Sequence, residues 1–91
     1  MEIIREAVAG SLESSDVLVT VSPAQGVEID LTSSVESYYG DSIRNTMRSV
    51  LVDLGVADVR VEAVDHGALD CTIKARLTTA LRRGSKEVAA K

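Results

Sequence analysis

No tryptophan, no phenylalanine and only two tyrosines occur in this chain of 91 residues. With so little aromatic surface it offers nothing on which to stack successive bases. Its net charge of −4 also means that it lacks the basic face that a phosphate backbone requires, which excludes nucleic acid as the main partner. A single cysteine, Cys71, cannot form an internal disulfide. With no secretory n-region or h-region in the sequence, no leader is expected, and no apolar run approaches the roughly 20 residues that span a bilayer. The expectation is a soluble domain in a reducing compartment, most simply a cytoplasm.

The one histidine, His66, limits catalysis in the same way. Any activated serine would need it as base, yet it sits in a turn beside Gly67, and no Gly-x-Ser-x-Gly elbow occurs anywhere. His66 and Cys71 supply two soft ligands where a closed zinc site uses four, so no metal is expected. Cys71, inside an apolar alternation, reads as a small buried side chain. No glycine-rich loop precedes a helix to cradle a phosphate. Carboxylates two apart on a strand, such as Glu28 and Asp30, read as its wet face and not as an acid/base pair. The chain is not expected to be an enzyme on its own.

What is present is a core of Val, Leu, Ile and Ala within a composition that is 45% hydrophobic, enough for one domain over residues 1–91. Charge is unevenly placed: residues 1–70 carry thirteen acids and four bases, residues 71–91 six bases and one acid. The last stretch, from about 84 to 91, is expected to be a disordered tail.

Residues 3–12 suggest an irregular first strand, and Val17, Val19 and Val21 alternating with Leu18 and Thr20 give the clearest one, at 16–22. Pro23-Ala24-Gln25-Gly26 reads as a turn before a third strand built on Val27, Ile29 and Leu31. Ser33 and Glu36 have capping-box spacing. Ile43, Met47, Val50, Leu51 and Leu54 then share one face of a helix over about 41–54, stopped by Gly55, with 34–40 as its lead-in and Tyr38 and Tyr39 packing the lead-in's apolar side. Val59 and Val61 predict a strand, and the alternation of Leu69, Cys71, Ile73, Ala75 and Leu77 predicts its hairpin partner, followed by a short helix from Leu77. The expected fold class is α+β: a mainly antiparallel β-sheet (β-hairpin, third strand, helix, second hairpin, short C-terminal helix) with one long helix packed on one face.

Between the first two strands lies Gly10-Ser11-Leu12-Glu13-Ser14-Ser15-Asp16, the tip of a hairpin with three exposed hydroxyls. Serine and aspartate are ordinary turn formers, so the loop reads first as a turn. It also has what a carrier domain needs: an unactivated serine for a separate enzyme to modify, flanked by Glu13 and Asp16 as acids that dock on basic partner surfaces. Residue chemistry alone leaves both readings open.

The run Ala7-Val8-Ala9-Gly10-Ser11-Leu12-Glu13-Ser14-Ser15-Asp16 resembles the start of the acyl carrier (gamma) subunit of citrate lyase, whose pattern reads close to A-V-A-G-T-L-E-S-x-D. Ile29-Asp30-Leu31 through Ser33-Ser34-Val35-Glu36 to Gly40-Asp41-Ser42-Ile43-Arg44 resembles that family's middle segment. Gly67-Ala68-Leu69-Asp70-Cys71 with Ala75-Arg76-Leu77 resembles its G-A-L-D-C…A-R segment, so the likeness spans about residues 3–83. It implies that Ser14 carries a 2′-(5″-phosphoribosyl)-3′-dephospho-CoA arm through a phosphodiester, placed there by a prosthetic-group transferase. Ser15 stands where that family often has Gly. The resemblance further implies that the arm's thiol holds acetyl and citryl thioesters while the alpha and beta subunits cleave citrate to acetate and oxaloacetate. A thioester delocalises the charge that develops at cleavage better than a carboxylate does. The related carrier of malonate decarboxylase is the nearest alternative, and a protein-interaction module whose serine loop is only a turn is the next.

Overall fold

The computed structural model describes residues 1–86. Its elements are β1 (Ala7–Gly10), β2 (Val17–Ser22), β3 (Val27–Ser33), α1 (Glu36–Asp53), β4 (Val59–Asp65) and α2 (Asp70–Gly84). The strands form one sheet in the order β1-β2-β4-β3. β1 and β2 pair antiparallel as the expected hairpin, and β2 is antiparallel to β4, but β3 and β4 run parallel, so the sheet is mixed. Parallel neighbours need a crossover, and α1 is that crossover.

Alternation along the strands decides which face is covered. Val17, Val19, Val21, Val59, Val61 and Ala63 are buried, whereas Thr20, Arg60, Glu62, Glu28 and Asp30 between them are not. Helix α2 packs on β1 and β2, and α1 packs on β3 and α2, giving two layers with one sheet face bare. On that bare face Arg60 pairs with Glu28, Asp30 and Glu62, and its hydrogen bonds to Glu62 and then Glu28 raise its pKa.

The second hairpin does not form, because the stretch read as its return strand is the first part of α2. Ile73, Leu77, Ala80, Leu81 and Gly84 are buried at helical spacing, while Cys71 and Ala75, which alternation would also have buried, are exposed. Ile73 and Leu77 fit both periods, but only the helical one continues to residue 84 and gathers Ala80 and Leu81 into the core. Leu69, outside that stripe, is 70% exposed. The short helix expected from Leu77 is the second half of α2.

Helix α1 begins at Glu36, earlier than periodicity suggested, and buries Ile43, Met47, Val50 and Leu51. Gly55 stops it with φ of +67°, donating to the Val52 carbonyl while Val56 donates to that of Leu51, the paired bonds of a Schellman ending. Tyr38 and Tyr39 do not pack the lead-in: they are 85% and 59% exposed on the first turns of α1. Neither α1 nor α2 is long and apolar enough to cross a membrane.

Strand β1 is shorter than expected, although Ile3 is buried and bridges to Ser85. Gly84, Ser85 and Lys86, expected to open a disordered tail, are ordered. Both Ile4 and Arg5 donate to the Gly84 carbonyl, Ser85 is buried, and Lys86 pairs with Glu2 at 3.0 Å. The rest of the expected tail, 87–91, lies outside the described residues.

Candidate functional site

Three connections meet at one end of the sheet: the hairpin tip at 11–16, the β3–α1 turn at 34–35 and the β4–α2 turn at 66–69. Strand register brings them together, since Asp65 pairs with Val17 on one side and Ser33 on the other. The three sequence segments that carried the family likeness therefore come together around the serine loop.

Gly10 lets the hairpin turn begin. Its φ is +99°, and a Cβ there would lie 1.8 Å from the Val17 carbonyl oxygen, so no other residue fits. At the other end of the loop, Asp16 is fixed by four donors. Arg76 donates through Nε to Oδ1 and through Nη2 to Oδ2, each at 3.0 Å; the Ser11 hydroxyl donates to Oδ2 at 2.6 Å, and the Val17 amide to Oδ1 at 2.8 Å. The Arg76 hydrogen bond, then Ser11 and Val17, hold the Asp16 carboxyl well below the usual carboxylate range, and the same pairing raises Arg76. Folding thus favours the ionised form. The pair's stabilisation is complete above the unfolded aspartate value of about 3.9 and is lost only as pH falls through the depressed folded value.

The loop's other side is tied through backbone. The Ser15 amide donates to the His66 carbonyl at 2.8 Å, and the His66 amide to the Asp16 carbonyl at 2.9 Å. Asp65 shapes the strand from which His66 follows. It is 1% exposed, and its carboxylate accepts from the Ser33 hydroxyl at 2.8 Å, the Gly67 amide at 3.1 Å and the Ala68 amide at 3.0 Å. Ser33 is consequently no capping-box residue: its oxygen accepts from the Val35 amide, and Glu36 pairs with Arg44 instead.

The three serines are thereby distinguished. Ser11 is occupied, donating to Asp16 and accepting from the Glu13 amide. Ser14 and Ser15 are both exposed, and neither hydroxyl has a hydrogen-bond partner among the described residues. Ser15, however, is held at φ of +65°, a left-handed conformation that glycine adopts freely and serine at a cost, which gives a physical reason for glycine at this position. Ser15→Gly is expected to stabilise the fold by about 0.5 kcal/mol, raising the melting temperature by roughly 2–4 °C in a thermal melt. A decrease would show that the left-handed turn is not the solution conformation.

Of the two acids expected to dock on partners, Glu13 is exposed, whereas Asp16 spends its charge on Arg76, with a side chain only 14% exposed. His66 is exposed and takes part through its backbone. Cys71 is not buried as expected but lies exposed on the first turn of α2. Sequence reasoning missed Asp65 and Arg76. The Asp-x-Gly spacing of Asp65 and Gly67 carried an Asx-turn signal for the first, but nothing local marks a partnership across 60 residues for the second. Beside the β4–α2 turn opens a groove of about 460 Å³ lined by Val35, Tyr39, Ile43, Ala68 and Leu69.

The family model described as malonate decarboxylase delta subunit (MdcD), of acyl carrier type, matches residues 4–84. The citrate lyase acyl carrier protein of Streptococcus mutans is 54% identical over 88 residues, covering 94% of this chain and 86% of that protein. That of Serratia proteamaculans is 55% identical over 85 residues, covering 91% and 83%. Among solved structures, a chain of a Pseudomonas malonate decarboxylase hetero-tetramer in complex with malonate shares the fold, with a TM-score of 0.76 at 19% identity over 89% of this chain and 84% of that one. With likeness of this extent along both sequence and fold, the chain belongs to the citrate lyase acyl carrier proteins, whose members are carrier and not catalytic subunits.

Proposed function

We propose that Ser14 is the covalent attachment point of a 2′-(5″-phosphoribosyl)-3′-dephospho-CoA arm and that the chain presents this arm to the alpha and beta subunits of citrate lyase. The observation that carries the reading is the state of the Ser14 hydroxyl: exposed and without a hydrogen-bond partner among the described residues, on a loop whose Ser11 and Asp16 side chains are engaged and whose Ser15 is held at a positive φ. A phosphodiester needs such an oxygen and open space around it, so the residues present fit the group. When attached, the arm supplies a thiol that carries acyl groups as thioesters. The chain's residues provide a fixed anchor and a high local concentration at partner sites.

No base among the described residues contacts Ser14, so its proton passes to a base of the prosthetic-group transferase as the Oγ–P bond forms and the phosphoanhydride bond of an arm donor activated as its 5″-polyphosphate breaks, releasing the terminal phosphates. The proposal includes a cytoplasmic location, whose reducing conditions keep an arm thiol free, as they would the exposed Cys71. Intact mass after co-expression with the transferase tests the attachment: one arm-sized gain is expected, and an unchanged mass would leave the loop a turn in an interaction module. The malonate decarboxylase likeness stands at 19% identity and supports fold alone, so citrate is preferred as the acid cleaved by the reconstituted complex.

Glu13 is the docking acid in this reading, since Asp16 is neutralised within the fold. Glu13→Lys is expected to weaken transferase or subunit binding by about three- to tenfold at low salt, with the difference shrinking as salt rises, because exposed charges are screened beyond about 10 Å at 0.1 M. Equal binding at both salt concentrations would remove Glu13 from the interface.

A further inference from the structure

Three serines within five positions pose a selection problem that the loop's own chemistry does not solve, because all three hydroxyls have the same intrinsic reactivity. Groups outside the loop, Arg76 on α2 and His66 in the β4–α2 turn, hold it in shape. We propose that Arg76, acting through Asp16, is a positioning residue that determines which serine is modified; this inference rests on the reading of Ser14 as the attachment point.

The two-pronged contact from Arg76 Nε and Nη2 fixes both Asp16 oxygens in one plane. Held so, Oδ2 faces the Ser11 hydroxyl at 2.6 Å and takes its proton as a hydrogen bond, and the Ser11 oxygen in turn accepts from the Glu13 amide. Ser11 is thereby turned inward. Fixing Asp16 also fixes its carbonyl, which accepts from the His66 amide, and so aligns the His66 carbonyl with the Ser15 amide. That second tie holds Ser15 at φ of +65°. Ser14 and Ser15 both keep exposed hydroxyls, but only the Ser15 backbone is tied, so Ser14 is the one serine of the three held by neither a side-chain nor a backbone contact to these groups. The guanidinium comes from α2, 60 residues away, so the loop's shape depends on the docked helix and not on the hairpin alone.

The modification itself is unchanged in chemistry whichever serine reacts: an Oγ–P bond forms, the phosphoanhydride bond of the polyphosphate-activated arm donor breaks with release of its terminal phosphates, and the hydroxyl proton goes to the transferase. Removing the clamp changes which oxygen is offered. In Arg76→Gln, Asp16 loses its fork, the Ser11 hydroxyl is released and the Ser15 turn relaxes.

The test is single-turnover modification of the full chain by the transferase with its activated arm, with the adduct located by peptide mapping. Arg76→Gln is expected to lower kcat/KM by about 10- to 100-fold, the range that follows from misplacing a reacting group by about 1 Å. A measurable share of adduct should move from Ser14 to Ser11 or Ser15. Arg76→Lys, which keeps the charge without the fork, should restore part of the rate and of the selectivity. Lys86→Gln, which breaks the exposed pair with Glu2 instead, should leave both unchanged. Hydrogen exchange at the Ser15 and His66 amides should accelerate in Arg76→Gln with β2 and β4 still protected.

Adduct confined to Ser14 at the wild-type kcat/KM in Arg76→Gln would overturn the proposal, whatever the melting temperature does. A wild-type chain that accepts no arm would instead speak against the attachment reading. The clamp is then judged by amide exchange, where faster exchange at Ser15 and His66 supports it and unchanged exchange overturns it.

Discussion

Ser14→Ala is expected to remain at its unmodified mass after co-expression with the transferase, and the reconstituted complex to lose citrate cleavage down to background. The loss should be complete because the hydroxyl oxygen is the atom that would be bonded to phosphorus, while Ser11 is engaged with Asp16 and the open Ser15 hydroxyl sits on a backbone held in the left-handed conformation. The same variant should fold as before. Its side chain is exposed and unbonded, and substitutions at such surface positions stay within about 0.5 kcal/mol. Ser15→Ala provides the matched comparison, since it removes the adjacent free hydroxyl and leaves the Ser15 amide bond to His66 intact. It should gain one arm, as the parent chain does. A full adduct on Ser14→Ala, or its loss in Ser15→Ala alone, would move the attachment one residue along and leave the carrier function standing.

Strand and helix signals were legible where a single periodicity was at work. The alternation Val17, Val19, Val21 is buried residue by residue as the pleat requires, and the stripe Ile43, Met47, Val50, Leu51 lies on one face of α1. Reading failed where two periods coincide. Ile73 and Leu77 are four apart, which satisfies both a strand and a helix, and the competing helical positions Ala80 and Leu81 lay beyond the window that suggested a hairpin. The mixed sheet was hidden for a different reason: β4 inserts between β2 and β3, and such pairing is set by packing between segments far apart in the chain. The serine loop itself was visible because turn residues between two strand signals are a local pattern. Its supports, Arg76 and Asp65, were not, since one sits on a helix misread as a strand and the other's carboxylate reaches Ser33, 32 residues away.

Asp65→Ala is expected to be the most destabilising single substitution at this end of the sheet. The wild-type carboxylate is 1% exposed and accepts three hydrogen bonds, from Ser33, Gly67 and Ala68, drawn from two different turns. Truncation leaves a hydroxyl and two amides, all part-buried, without their acceptor, and each such group costs roughly 1–3 kcal/mol where water cannot reach it. Partial opening is expected, because both turns lie at the surface, so the net loss should be about 3 kcal/mol. For a domain of this length that corresponds to a melting temperature lower by about 12–24 °C. With roughly 5–14 kcal/mol to lose from, the variant should still fold at room temperature. Asp65→Asn keeps the volume and one acceptor oxygen, but its amide must turn N–H groups toward at least one donor, so about 1–2 kcal/mol should be lost. The order Ala below Asn below wild type is read by thermal and urea melts: an Asp65→Asn value equal to wild type would mean that the second carboxylate oxygen contributes nothing, and an Asp65→Ala value equal to Asp65→Asn that the retained oxygen contributes nothing. Because His66 follows Asp65 directly and pairs with Ser15 and Asp16, the opened turn should also deprotect the Ser15 amide, so the buried acid reaches the serine loop through the His66 backbone and no side chain.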